Sequence, residues 1–270
     1  MIEEVFGFKH VLLLVLGCFL LIKVIDGIAV NWYGKPLWVH FYLFKKTLTS
    51  SQKRILRNEF SFYRRLNTKE QLYFEHRVAS FIENKGFIGR NDLIIVERQK
   101  ILIAATATML TFGMRKYQLP IIEKILIYPD VFYSTINEEY HKGEFNPKFK
   151  ALVFSWKHFE EGYASKEDKI NLGIHEFTHA IHFNSLKHKG SSGKLFLNGF
   201  NDVQRLLLNK RIKDDLRDSG YFREYAFTNK FEFLAVLLES FIESPVEFKQ
   251  RFPLVYKNIQ QMFNFRFTGY

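Results

Sequence analysis

Two histidines and a glutamate stand within five residues, His175-Glu176-Phe177-Thr178-His179. On a helix, positions i and i+4 share a face with roughly 6 Å between them, so both imidazoles can reach one divalent ion. Glu176, beside the first histidine, is then within reach of a water polarised by that ion. The chemistry offered is hydrolysis, with a Lewis acid, a water and a carboxylate to take the water's proton. A catalytic ion of this kind takes three protein ligands and keeps one position open, so a third ligand is required.

The H-E-x-x-H spacing is the one used by zinc metallopeptidases, which supply the third ligand in different ways. A third histidine six residues after the second is excluded, because Ser185 stands there and His182 replaces the glycine that such a turn needs. The alternative is a glutamate from a later helix. Residues 229–242 form a strong helix candidate with Phe231, Leu234, Ala235, Leu238 and Phe241 on its buried stripe. Glu232 and Glu239 sit in that apolar helix, where an unpaired charge is expensive to bury. Metal ligation removes that cost for Glu232. Glu239, two turns further along, can accept a hydrogen bond from the second ring nitrogen of a ligating histidine; a plain surface carboxylate is the other reading.

The motif helix is expected from about Ser165 to Phe183. Ser165 and Asp168 form a near capping box, and Ile170, Ile174, Phe177 and Ile181 recur at helical spacing. His175, Glu176 and His179 fall off this apolar stripe, toward a cleft. Of the other histidines, His40, His76, His141, His158 and His188 are expected at the surface or lining the cleft. His182, one turn beyond His179, could touch substrate or modulate the site.

These residues resemble the Mlc titration factor A family of zinc peptidases. Its second signature has counterparts in Tyr225-Ala226, Glu232, Phe233, Ala235-Val236 and Glu239, followed by Phe241, Pro245 and Phe252-Pro253-Leu254-Val255-Tyr256 with one position shifted. Upstream, Leu126-Ile127-Tyr128-Pro129, Gly143-Glu144, Leu152-Val153-Phe154-Ser155-Trp156 and Asn171 also match, so the resemblance runs from about Glu97 to Phe263. The H-E-F-x-H and the Tyr-to-Glu spacing are also similar to the catalytic domain of anthrax lethal factor. The chain departs from the family at Ile181-His182, where Leu-Asp is frequent, and at Lys189-Gly-Ser-Ser-Gly193, which lacks the family's acid; no metal ligand is lost.

The resemblance implies a zincin-like fold and Zn2+ held by His175, His179 and Glu232, with Glu176 as general base. It makes Tyr225 the second oxyanion donor and gives peptidase activity, including aminopeptidase-like cleavage. The segment Lys150–Trp156 reads as a strand. In zincin folds an edge strand pairs with the substrate backbone, which makes Phe154 and Trp156 candidate substrate-binding residues; an interior strand packed on the motif helix is the other reading. A second reading is a membrane-tethered binding module that sequesters a regulatory protein partner, since the family is associated with the glucose repressor Mlc. An intact Glu176 favours the enzyme, because a structural metal needs no general base.

The elements that must position these groups are a mainly helical α+β set with a small sheet. Helices are expected at Ser51–Phe60, Thr68–Asn84, Glu97–Lys116, near Asp202–Lys213 and from Pro253. Strands are expected at Lys124–Tyr128 and at 150–156, with a polar connection around Gly190–Gly199. The chain has 270 residues, 47% hydrophobic, with 30 Phe, enough for one aromatic-rich domain over residues 41–270 once residues 1–40 are set aside. The single Cys18 excludes an internal disulfide and fits a reducing compartment.

Residues 1–40 read as a membrane anchor with an aromatic flank. Val11–Ile22 is an unbroken apolar run, and Phe6–Val30 can span if Lys23 and Asp26 pair at i,i+3 or sit near the interface. Trp32, Tyr33 and Trp38 follow as an interfacial belt. A cleaved signal peptide competes, but Glu3 and Glu4 precede the run and no small-x-small site follows it. A helix lying in the interface plane is a further alternative. Lys45, Lys46, Lys53, Arg54 and Arg57 after the run place the domain in the cytoplasm by the positive-inside rule. Net charge is +11, and residues 41–120 hold 15 basic against six acidic residues. That balance suits an anionic lipid surface; without a groove-reading or stacking motif, nucleic acid is not expected.

Overall fold

The computed structural model describes residues 2–134, 138–164, 170–268 and 270, and of residues 2–6 the backbone alone. The expected capping box at Ser165–Asp168 lies outside the described residues. Helix α1 (Ile2–Tyr33) holds a stretch, Gly7–Tyr33, long and apolar enough to cross a membrane. Every side chain from 7 to 25 is exposed. From there the helix docks, burying Asp26, Ala29 and Val30 at i, i+3, i+4 spacing. Asp26 does not pair with Lys23. Both of its oxygens take Arg115, at 2.7 and 2.8 Å, and it also accepts from Ser191 Oγ and the Leu37 amide. Lys23 instead lies over the Phe19 ring.

Helices α2 (Ser50–Glu59), α3 (Ser61–Arg65) and α4 (Thr68–Asn84) follow, the first and third started by capping boxes, Thr49/Gln52 and Asn67/Glu70. Strand β1 (Gly86–Gly89) leads to α5 (Glu97–Leu110), which is buried on nearly every side and therefore apolar all round. This helix was expected to reach Lys116. It stops earlier, where the fully buried Arg77 takes the carbonyls of Thr111 and Phe112.

Strands β2 (Lys124–Tyr128), β3 (Phe132–Ser134), β4 (Glu139–His141), β5 (Gly143–Asn146) and β6 (Ala151–Ser155) come next. One sheet has the order β1-β2-β6-β5, with β1, β2 and β6 parallel and β5 antiparallel at the edge; β3 and β4 form a separate hairpin. Then follow α6 (Trp156–Ala164), α7 (Leu172–Lys187), α8 (Ser191–Leu208) and α9 (Lys210–Asp218). A 3-10 turn at Glu224–Phe227 leads into α10 (Lys230–Glu243), α11 (Pro245–Arg251) and α12 (Pro253–Met262). The chain is thus mainly helical with a small sheet. The segment from Gly190 to Gly199, expected as a polar connection, is instead the first half of α8.

Helix α7 is the centre of the fold, packed between the sheet, α5, α8 and α10. Phe177 points from it into the core against Phe81 and Phe154, and Phe154 meets Phe159 edge-on. Phe154, Phe159 and Phe177 are fully buried, each contributing roughly 1.5–3 kcal/mol. This anchors one side of α7 and leaves its opposite side facing α10.

Candidate metal centre

The two helices that carry the candidate ligands are started by asparagines. Asn171 Oδ1 accepts from the Ile174 amide at 3.0 Å, and Asn229 Oδ1 accepts from the amides of Phe231 and Glu232 at 2.9 and 3.1 Å. Such caps are worth about 1 kcal/mol each. They also fix where each helix begins, and hence where its first turn points. His175 is the fourth residue of α7 and Glu232 the third of α10.

One nitrogen from each of His175 and His179 and one oxygen from Glu232 lie within 4.8 Å of one another. Glu232 Oε2 is 2.9 Å from His175 Nε2, and Oε1 is 3.5 Å from His179 Nε2. The imidazole planes stand 81° apart, as two rings do when they approach a common point from different sides.

The donor set fits a divalent cation. His175 Nδ1 is 2.7 Å from Glu239 Oε1. A carboxylate only accepts, so Nδ1 carries the proton and the neutral ring turns the Nε2 lone pair toward Glu232. Two acceptors then face each other across 2.9 Å, and Glu232 Oε2 is buried without a hydrogen-bond partner. A cation between them resolves that conflict; in its absence a proton must. Accordingly, although burial alone would lower it, the carboxylates of Glu232 and Glu239 raise His175 to about 10. Burial would raise Glu232, but the two imidazoles outweigh it and hold the carboxyl well below the usual range.

Glu239 is fully buried, which removes the surface-carboxylate reading. Arg223 Nη2 donates to both of its oxygens, at 2.7 and 2.9 Å, and the Asn171 amide donates to Oε2 at 3.2 Å. Its charge is therefore matched, and its position ties α7 to α10 behind His175.

Glu176 is buried at the mouth of the site. Burial is the main influence on its carboxyl and raises it; His175 and His179 pull it down, and Glu232 and Glu144 add to the rise. Its side chain lies against Gly143 of β5, so closely that a Cβ there would come within 2.8 Å of Glu176 Cγ. Tyr225, in the 3-10 turn before α10, is half-exposed, with its ring 6.1 Å from that of His175. Burial first, and then the charge of the neighbouring Glu232, raise its phenol well above the ordinary value.

A cavity of about 600 Å³ opens over His175, Glu176 and Tyr225, walled also by His141, His158 and Arg223. Phe154 and Trp156 are not in it. Strand β6 is paired along both edges, by β2 and β5, so no free edge is left for a substrate backbone, and all of its residues are buried. Phe154 is fully buried, and Trp156 stacks on Phe159 with Arg98 over its ring. The sheet edge beside the site is β5. His182 also lies away from the cavity, boxed by Phe200 and Phe231 at 4.7 and 5.0 Å. Burial pushes it down to about 4. His76, expected at the surface or cleft, is buried and accepts from the Lys46 amide.

Sequence reasoning missed Arg223 and the role of Gly143. Arg223 stands two residues before Tyr225, and a buried glutamate in an apolar helix does call for a cation, but no local pattern says which one. Gly143 had been noted only as part of a matching Gly-Glu pair.

The chain is 24% identical over 267 residues to the uncharacterized protein slr2042 of Synechocystis sp. (strain ATCC 27184 / PCC 6803 / Kazusa), covering 90% of this chain and 95% of that protein. The model of the glucose-regulated metallo-peptidase M90 family matches residues 38–264, which include His175, His179, Glu232 and Glu239. The chain belongs to that metallopeptidase family.

Proposed function

We propose that this chain is a membrane-anchored, zinc-dependent peptidase, with a zincin-like arrangement in which His175, His179 and Glu232 hold the ion and Glu176 is the general base. The observation that carries this reading is the convergence of the three donors beside a buried carboxylate, with His175 and Glu176 lining an open cavity. The soft nitrogen and hard oxygen donors suit zinc, with a position left open. When bound, the ion supplies the Lewis acidity that makes a water nucleophilic near neutral pH.

The remaining steps belong to the chain. Glu176, raised by burial, takes the proton from the attacking water and delivers it to the leaving amine. Tyr225, held beside Glu232, donates a hydrogen bond to the oxygen on which negative charge develops. Glu239, clamped by Arg223, keeps the His175 proton on Nδ1. The substrate strand is assigned to β5 rather than β6. Among the described residues β5 pairs only with β6, so its outer edge can accept an extended peptide. Gly143 on that strand is next to Glu176, which would bring a bound backbone to the general base.

In this reading α1 spans the bilayer, and the basic residues after it, from Lys45 to Arg57, keep the catalytic domain on the cytoplasmic side. The test is Glu176→Gln in the full chain, assayed against a peptide library. Hydrolysis should fall by about 10²–10⁴-fold while metal content is unchanged. Hydrolysis that survives the substitution removes Glu176 from the mechanism. A metal-loaded native chain that cleaves nothing favours the binding-module reading.

A further inference from the structure

A second cavity, of about 380 Å³, lies where α1 docks on the domain. Its charged lining is Lys23 and Asp26 from α1, Arg115 and Lys116 after α5, Lys189 before α8 and Lys194 within α8. Asp26 is the sole carboxylate among these, and its oxygens are taken by Arg115 and Ser191. Lys23, Lys116, Lys189 and Lys194 make no ion pair among the described residues, and all four are exposed. The Lys116 ammonium lies across Gly190, 3.7 Å from where a Cβ would sit, so it shares the rim with the Lys189–Lys194 segment. Four ammonium groups drawn from three parts of the fold repel one another unless an anion lies between them.

The position of the cavity indicates which anion. The undocked, exposed part of α1, residues 7–25, rises about 28 Å at 1.5 Å per residue, close to the thickness of a bilayer's hydrocarbon core. Docking begins at Asp26, so the cavity opens at the level where lipid phosphates lie. Lys23, at the last turn of the exposed stretch, has its ammonium over the Phe19 ring, and its flexible stem allows that ammonium to swing to the phosphate level. The turn of α1 just before Lys23 carries exposed apolar side chains, Phe19, Leu20 and Ile22 among them, which suit acyl chains. The volume falls within the range of small-molecule sites.

We propose that this cavity is a binding site for the phosphate of an anionic phospholipid headgroup, set at the junction of anchor and domain. It rests on α1 lying in the bilayer and not on the hydrolytic reading. A zwitterionic headgroup carries the same phosphate but adds a cation that the lysines repel, so selectivity for net negative charge is expected.

The test uses the full chain in two settings. Flotation with phosphatidylcholine vesicles examines the anchor alone; a chain that does not float overturns the anchor and this site with it. In neutral dodecyl maltoside micelles, calorimetric titrations with dioctanoyl phosphatidylglycerol, dioctanoyl phosphatidylcholine and inorganic phosphate examine the site. Phosphatidylglycerol should bind at least about tenfold more tightly than either of the others. The K116Q/K189Q/K194Q variant should bring that preference within about twofold, while K69Q/K210Q/K257Q, with the same charge change at exposed positions elsewhere, should keep it. Metal content of both variants should match the native chain, as a check on folding. Equal binding of the two lipids overturns the site even when the chain floats. Inorganic phosphate binding as tightly as phosphatidylglycerol overturns the lipid as its source. A control variant that loses as much preference as the first reduces the effect to overall charge and overturns the site.

Discussion

Glu239 does its work through His175. Its carboxylate is fully buried, yet three donors converge on it: His175 Nδ1, Arg223 and the Asn171 amide. A buried charge so compensated holds one ring in one tautomer, with Nδ1–H toward Glu239, and in the proposed mechanism this leaves the Nε2 lone pair for the ion. Substituting Glu239 by Gln keeps the shape but removes the charge that fixes the tautomer. Metal affinity, measured by competition with a chelator, should weaken about 10–100-fold, with the fold intact. An unchanged affinity would mean that the carboxylate serves only to neutralise Arg223. This residue pair also marks the limit of reading by sequence. Glu239 was legible because a charge in an apolar helix needs a reason, and Glu232 for the same reason. Arg223 was not, since its partner is set by how the 3-10 turn folds back on α10.

At the scale of elements, the edge strand β5 is the part most exposed to a direct test. Gly143 faces Glu176 and Leu172 so closely that a Cβ would sit 2.8 and 2.7 Å from their side-chain atoms. Gly143→Ala should therefore push the general base out of place. Peptidase turnover should fall by about 10²-fold, the scale expected for a displacement of 1 Å, while metal content stays the same. Full activity in this variant would place the substrate elsewhere. Helix α4, strand β2 and helix α10 were legible in sequence because each carries its own signal: a capping box, a short continuous apolar run, an apolar stripe with an Asn start. The position of β6 was misjudged. Its run Leu152-Val153-Phe154 is apolar on both faces, which is the pattern of a strand covered on both sides, and it lies between β2 and β5. The first half of α8, before the helix expected near Asp202, was missed because Gly190, Gly193 and Gly199 look like a connector. Gly199 in fact lets α8 approach α12, where a Cβ would come within 2.7 Å of Met262 Cβ. That requirement is set by a partner helix more than 60 residues away, beyond any local pattern.

At the scale of the whole molecule, one apolar helix emerges from a domain whose charge is strongly positive. A helix that spans should resist extraction by alkaline carbonate, and the double substitution Leu13→Arg with Leu16→Arg should release the chain. Each arginine costs about 2.5–3.5 kcal/mol at the helix centre. Release of the native chain by carbonate would favour a helix lying at the interface. The long apolar helix itself is legible from composition, but its docking is not: the Asp26–Arg115 pair joins residues 89 positions apart, and the i,i+3 partner offered by local spacing is Lys23. Anchor, sheet and helices all bear on a single question, whether His175, His179 and Glu232 hold one ion. The most direct measurement is the zinc content of the full chain purified in neutral detergent, beside His179→Ala and Glu232→Ala. The native chain should carry about one zinc, and each variant should lose it to a chelator that leaves the native site filled. A native chain that takes up no zinc when offered it, or zinc retained equally by all three, would contradict the account.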